Sequence, residues 1–303
     1  MKRILVTGGT VFVSRYVADY YVKQGYEVYC LNRNHYTQVE GTHLIKADRH
    51  NLSEELKMLE FDAVIDVTAY NGEDIKCLLG ALYKAKDYIM ISSSAVYPET
   101  LPQPFQEEQE GGPNSIWKDY GTDKYEAENV LLEKRPDAYI LRPPYLYGPM
   151  QNLYREPFVF DCALAGRSFY VPKNGAMNLQ FFYIEDLCRF IDILLEKHPS
   201  DHIFNVGNPE TVTVREWVTL CYKAAGKIPD IKEVYHSCNQ RDYFSFYDYD
   251  YRLDVTRQMK LLPSIKPLED GLKESFLWYK EHESEVQKKA YFDFIDQQPD
   301  FKP

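Results

Sequence analysis

In the stretch from Trp117 to Lys134 a phenol and an amine, Tyr120 and Lys124, stand with three residues between them, at the head of a helical pattern that continues through YEAENVLL. One turn of helix puts both side chains on the same face, where an ammonium can favour the phenolate form of its neighbour. The chemistry such a pair supports is proton transfer. A solvated helix face produces the same spacing, so the surrounding elements must show whether a reactant is brought to it.

Those elements begin with a strand, Lys2 to Thr7, followed by Gly8-Gly9-Thr10 and a helix from Phe12 to Gln24 that carries Val13, Val17 and Tyr21 and stops at Gly25. A second strand runs from Glu27 to Asn32. Strand, glycine turn and helix in that order let a phosphate sit on the N–H groups of a helix N-terminus. A dinucleotide site is therefore expected at Gly8, Gly9, Thr10, Phe12 and Val13. His43 to Asp48 and Asp62 to Tyr70 read as further strands, with a helix from Leu52 to Glu60 between them. A helix around Asp74 to Ala85 and a strand from Tyr88 to Tyr97 follow, the strand ending in the hydroxyl residues Ser92, Ser93 and Ser94. This alternation predicts an α/β fold with a doubly wound parallel Rossmann sheet, in which ligands collect beyond the carboxyl ends of the strands. Gly8, Asp48, Thr68 and Ser93 all fall there.

A Pro-, Gln- and Glu-rich loop, Pro98 to Ser115, precedes the Tyr120 helix. Beyond the strand Ala138 to Pro149, halted by prolines, Asn152 to Asn178 reads as irregular and aromatic. Helices are expected over Ile184 to Lys197 and near Val214 to Ala225 and Asp270 to Glu283, with a strand at Ile203 to Gly207 and a loosely held tail, YFDFIDQQPDFKP. The expected organisation is a dinucleotide-binding domain over 1–148, to which 179–207 returns, and a smaller substrate domain built from 149–178 and 208–303.

Composition narrows the function classes. A formal net charge of −11 over 303 residues opposes non-specific attraction to nucleic acid, and no nucleic-acid partner is expected. No apolar run approaches the roughly 20 residues that span a bilayer, and the chain starts without a signal-like segment, so a soluble, cytoplasmic protein with no membrane partner is expected. Six scattered cysteines lack C-x-x-C or Cys/His clustering, which predicts reduced, mostly buried thiols and no metal site. Among seven histidines the nearest pair, His198 and His202, lies across a Pro-Ser-Asp loop signal that breaks any helix.

The glycine turn in VTGGTVF, Ala47-Asp48, SSSAVYP, Tyr120-x-x-x-Lys124, LRPPYLYGP, FFYIEDL (Phe181 to Leu187) and FNVG together resemble the extended short-chain dehydrogenase/reductase superfamily, the NAD-dependent epimerase/dehydratase group, across nearly the whole chain. The resemblance implies a nucleotide-sugar substrate, NAD or NADP as cofactor and a homodimer formed through two helices per subunit. In that family the tyrosine is the general acid/base on a sugar hydroxyl or ketone while hydride passes to or from the nicotinamide. A phenol of pKa near 10 is a poor base at neutral pH, so the lysine must stabilise the phenolate. By this likeness Tyr120 is the base, Lys124 its activator and a cofactor contact, and Ser93 the third member; Ser94 beside it is a substrate-contact candidate. Asp48 with Arg49 matches the pair beside the adenine, and Thr68 and Ala69 would flank the cofactor.

The chain also departs from the family pattern. The second and third glycines of G-x-x-G-x-x-G are Val11 and Ser14, so the turn is similar to a divergent GGT-x-F branch, some of whose members have lost catalysis or associate with RNA in plastids. Where NAD-preferring members carry an aspartate at the end of the second strand, this chain has Asn32-Arg33, which permits a 2′-phosphate and hence NADP(H). Arg241 in NQRDY resembles an arginine that grips a nucleotide diphosphate, whereas the arginine before F-x-Y-V-x-D is Gln180 and the substrate-facing Asn of LR-x-x-N is lost in LRPPY. Asp186 matches the motif acid as a structural residue, and the run Tyr243 to Tyr251 reads as tyrosine packing of a small domain. Ala95 and Val96 stand where dehydratases have an Asp-Glu pair. The reading is a sugar-nucleotide epimerase or reductase, with a non-catalytic cofactor-sensing or RNA-associated protein as the alternative.

Overall fold

Seven parallel strands carry the candidate residues. The computed structural model describes residues 2–52, 54–235 and 238–298. In chain order the first elements are β1 (Arg3–Thr7), α1 (Phe12–Lys23), β2 (Glu27–Asn32), β3 (Thr42–Lys46), β4 (Glu60–Asp66), α2 (Gly72–Ala81), β5 (Lys84–Ile91), α3 (Asp119–Lys134) and β6 (Tyr139–Arg142). Across the sheet they lie in the order β3, β2, β1, β4, β5, β6, with the strand Ile203–Asn205 last. The order reverses between β1 and β4, which is where a doubly wound sheet opens a crevice. Ile4 to Val6, Ala63 to Ile65 and Ile89 to Ile91 are buried because helices cover both faces of a parallel sheet. The register aligns Thr7 with Leu31, Val6 with Ile65 and Asp66 with Met90, so the carboxyl ends form one edge.

The later helices are α4 (Glu156–Leu164), α5 (Ile184–Lys197), α6 (Val214–Ala224), α7 (Thr256–Leu261), α8 (Leu268–His282) and α9 (Tyr291–Gln297). The chain divides into one unit of 1–146, 182–209 and 253–265 and a second of 147–181, 210–252 and 266–303. Residues 253–265, expected in the second unit, belong to the first: Gln258 Oε1 accepts from the Gly207 amide at 2.6 Å, and the Asp254 amide donates to Phe105 O at 2.8 Å.

Several element boundaries differ from the sequence expectation. The expected helix over 52–60 is a short 3-10 turn, Glu54–Met58. β4 stops at Asp66 rather than Tyr70, because the next amides, Val67 and Thr68, donate to Thr7 Oγ1 instead of to a strand. β5 begins at Lys84, whose ammonium reaches Glu60 at 2.9 Å, and stops at Ile91, after which Ser93 caps a tight turn. The segment expected to be irregular, 152–178, holds α4 and the strand Phe169–Pro172. The tail is held as far as α9, where Tyr291 stacks on Tyr154 and Asp296 pairs with Arg167; residues 299–303 lie outside the described residues.

Within the second unit, Glu156 opens α4 fully buried, with neither carboxyl oxygen hydrogen-bonded to another described residue. Burial raises its pKa from 4.5 to about 7, Arg155 and its own amide offsetting only part of that cost. The folded chain therefore keeps this proton where the unfolded chain releases it, and stability falls as pH rises between 4.5 and about 7. The loss amounts to about 3 kcal/mol. Glu156→Gln is expected to remove that slope, read as unfolding free energy in urea at about pH 5 and about pH 8; an unchanged slope in the variant places the pH dependence elsewhere.

Candidate active site

At the switch point the chain leaves β1 through Gly8 and Gly9, at φ of +91° and +85°, a region only glycine enters freely. A Cβ on Gly8 would lie 2.7 Å from Ser14 Oγ, and one on Gly9 would lie 2.4 Å from Cys30 Sγ, so side chains are excluded by space as well as by backbone conformation. Val11 occupies the extended region (φ −133°) and places no side-chain cap on α1, while Phe12 takes a φ of +28°. Ser14 fits because its hydroxyl turns back to donate to Val11 O at 3.0 Å. The result is an uncapped helix N-terminus facing the strand ends, with Thr10 and Val13 half-buried beside it. Asn32 donates to Gly8 O at 2.6 Å and thereby tethers the turn to the end of β2, and Arg33 beyond it is exposed.

Beneath the turn lies a buried charge that sequence reading missed. Asp66 accepts from Thr7 Oγ1 (2.7 Å), Tyr88 Oη (2.5 Å) and the Arg49 guanidinium (2.8 and 2.5 Å). Burial alone would raise this carboxyl, but Arg49 and the two hydroxyls hold it below its ordinary value. Arg49, expected with Asp48 beside an adenine, is thus committed to Asp66, Thr68 Oγ1 and the Asp74 carbonyl. Asp48 remains exposed, one oxygen accepting from the His50 amide. Thr68 and Ala69 sit directly past β4, and Thr68 Cγ2 would be 3.2 Å from a Cβ on Gly8. An acid, Asp66, set between apolar residues in AVIDV was the available signal, because a buried carboxylate requires a partner.

The Tyr120 helix docks on the turn after β5. Ser93 Oγ accepts from the Ala95 amide at 3.1 Å, and the Ser94 amide donates to Pro143 O at 2.9 Å. Gly121 faces this turn so closely that a Cβ would lie 2.2 Å from Ala95 O. Gly121→Ala is expected to cost about 1–3 kcal/mol, as overpacking does, and to push α3 away from the turn that follows Ser93. A urea midpoint equal to wild type would show that the docking is looser than this.

Tyr120 is 43% exposed, whereas Lys124 is 2% exposed and donates from Nζ to Ile91 O at 3.0 Å. Burial lowers the Lys124 ammonium to about 8, against the opposing pull of Asp66 and Glu128. Behind it Glu128 accepts from Ser92 Oγ (2.5 Å) and from Arg142 (2.5 and 3.0 Å), and Arg142 donates to Tyr97 Oη at 2.8 Å. These buried groups bind α3 to β6 and to the serine turn. Glu128 could have been read from its spacing, four residues beyond Lys124 on the same helix face.

In the second unit, Arg241 stacks over Tyr247 with its guanidinium carbon 4.5 Å from the ring centroid, and donates to Ser245 O. It borders a cleft of about 710 Å³ lined also by Lys173, Asn174, Tyr235 and Tyr243. Gln180 is buried, and Asp186 pairs with Arg189 at 2.6 Å. Phe244 and Phe246 pack on Trp217, so the tyrosine-rich run is in part core.

A doubly wound sheet with a glycine turn at its switch point and a Tyr/Lys pair on the helix that docks past β5 defines the class of this protein. The chain belongs to the NAD dependent epimerase/dehydratase family, whose model matches residues 4–79 and 77–207. It is 29% identical to a chloroplast stem-loop binding protein of 41 kDa b from Arabidopsis thaliana, covering 91% of this chain and 78% of the relative. It is 23% identical to a UDP-N-acetyl-alpha-D-glucosaminuronate decarboxylase from Bacillus cytotoxicus, covering 94% and 99%. Among solved structures its fold is that of dTDP-glucose 4,6-dehydratase from Bacillus anthracis, in complex with NAD (TM-score 0.75, 20% identity, 95% and 99% covered). It is also that of UDP-glucose 4-epimerase from Thermotoga maritima, with UDP-glucose (TM-score 0.73, 22% identity, 92% and 99% covered). No helix among the described residues is long and apolar enough to cross a membrane.

Proposed function

We propose that this chain is an NAD(P)-dependent epimerase or oxidoreductase of a nucleotide sugar, with Tyr120 as its acid/base. The observation that carries the reading is the half-exposed Tyr120 standing one helical turn from a buried lysine at the carboxyl edge of the sheet. The residues fit a dinucleotide: two positive-φ glycines precede an uncapped helix N-terminus whose N–H groups can receive a pyrophosphate. Gly8, Gly9, Thr10, Phe12 and Val13 would hold the pyrophosphate, Asn32 and Arg33 the adenosine ribose, Thr68 and Ala69 the middle of the molecule, and Lys124 the nicotinamide end. When bound, the nicotinamide supplies a hydride acceptor or donor.

Tyr120 takes the proton from a substrate hydroxyl, or returns it to a ketone, while Lys124 lowers the cost of the phenolate. Ser93 orients the same substrate oxygen, and Ser94 contacts the substrate beside it. Within the second unit taken by itself, Arg241 is the candidate phosphate contact, because a guanidinium matches phosphate oxygens in a two-point contact. Incubating the protein with UDP-, dTDP- and GDP-sugars and either nicotinamide, then reading products by NMR, tests this. An epimer formed without net change in cofactor marks an epimerase, stoichiometric cofactor consumption marks an oxidoreductase, and no conversion of any sugar sinks the reading.

The likeness to a stem-loop binding protein over most of the chain favours a second reading, a non-catalytic RNA-associated protein on the same fold. It predicts that Tyr120→Phe is without functional effect. The net charge of −11 weighs against it.

A further inference from the structure

The groups around Lys124 leave one neighbour with no role so far, the ring of Tyr70. Its backbone is fixed: the Tyr70 amide donates to Asp74 Oδ2 at 2.7 Å, directly before the Asn71 cap of α2. From that anchor the ring meets the Lys124 ammonium, with Nζ 5.0 Å from its centroid, and approaches the Tyr120 ring at 6.5 Å with the planes at 53°. Tyr70 is 52% exposed, yet the lysine beneath it is 2% exposed. A large aromatic side chain left half in solvent, in contact with a buried cation, is placed as a cover would be and not as core.

We propose that Tyr70 is a positioning residue of this site, its ring roofing the Lys124 ammonium so that the amine stays dry, held to the Ile91 carbonyl and presented to Tyr120. The catalytic consequence rests on the proton-transfer reading above; the shielding does not. The other charged groups that act on Lys124 are Asp66 at the end of β4, Glu128 on α3, Arg49 after β3 and Asp74 on α2. A substitution at Tyr70 replaces none of them. Burial is the largest influence on Lys124 and lowers it, so removing the ring hydrates the amine and moves its titration upward, although the lost ring contact pulls weakly the other way.

The test is reductive methylation of the full-length protein across a pH series, with the modification of Lys124 followed by mass spectrometry. Lys23, whose side chain is 72% exposed, serves as the internal standard. In wild type and Tyr70→Phe, Lys124 is expected to react at least about tenfold more slowly than Lys23. In Tyr70→Ala its limiting rate is expected to rise about tenfold and its midpoint to move up by about one pH unit, with the urea midpoint of unfolding unchanged. Wild-type rate and midpoint in Tyr70→Ala overturn the proposal. So does Tyr70→Phe behaving like the alanine variant, which assigns the effect to the hydroxyl instead of the ring. Added NAD(H) or NADP(H) separates the two readings: if Lys124 responds to Tyr70→Ala but neither nicotinamide protects it, Tyr70 is a cover and the cofactor assignment fails.

Discussion

Tyr120→Phe is expected to lower kcat for the nucleotide-sugar substrate by about 10²–10⁴-fold, the range that a positioned acid/base contributes. The phenyl ring keeps the packing of α3 and the contact with the Tyr70 ring, so the variant should unfold at the wild-type urea concentration. Nicotinamide affinity should stay within about twofold, because the cofactor contacts assigned above are made by the glycine turn and Lys124 rather than by the Tyr120 hydroxyl. Loss of kcat with retained cofactor binding is the pattern of an interaction made in the transition state. A kcat within about threefold of wild type contradicts the assignment of Tyr120 as the acid/base.

The second large effect is on stability. Glu128→Ala leaves the Arg142 guanidinium, 2% exposed, without the carboxylate that accepts from it at 2.5 and 3.0 Å. A buried cation deprived of its partner costs about 3–5 kcal/mol, a large fraction of a domain's stability. The same change releases Ser92, whose hydroxyl donates to Glu128 at 2.5 Å, so the segment that carries Ser93 loses this side-chain tie to α3. The expected result is a urea midpoint lowered in proportion, with activity reduced even in the protein that remains folded. Pairing Glu128→Leu with Arg142→Met should recover most of the stability, because two apolar side chains of similar volume replace a desolvated ion pair. Recovery of stability without recovery of kcat separates the structural from the positioning role of this pair.

The parallel sheet and the place of its loops were legible because each strand is a short apolar run closed by a turn signal, and β2 and α5 fall on their expected residues. The segment after Asn152 was not legible. α4 is apolar nearly all round, with seven of its nine residues buried, so no amphipathic period marks it. α9 is short and owes its hold to Tyr154 and Arg167, contacts more than a hundred residues away that no local pattern encodes. At the site, spacing along one helix singled out Tyr120 and Lys124, and neighbouring glycines marked the turn. The contact of Tyr70 with Lys124 and the commitment of Arg49 to Asp66 were hidden because the partners come from separate parts of the chain. The sequence pattern showed that Val11 departs from glycine; the geometry adds that the strain falls one residue later, on Phe12.

The most direct measurement of the central claim is equilibrium titration of the purified protein with NADH and NADPH, followed by dihydronicotinamide fluorescence. Stoichiometric, saturable binding is expected. It should weaken by at least about tenfold in Gly8→Val, where a side chain meets both a φ of +91° and the Ser14 hydroxyl. Absence of saturable binding by either nucleotide would contradict the account.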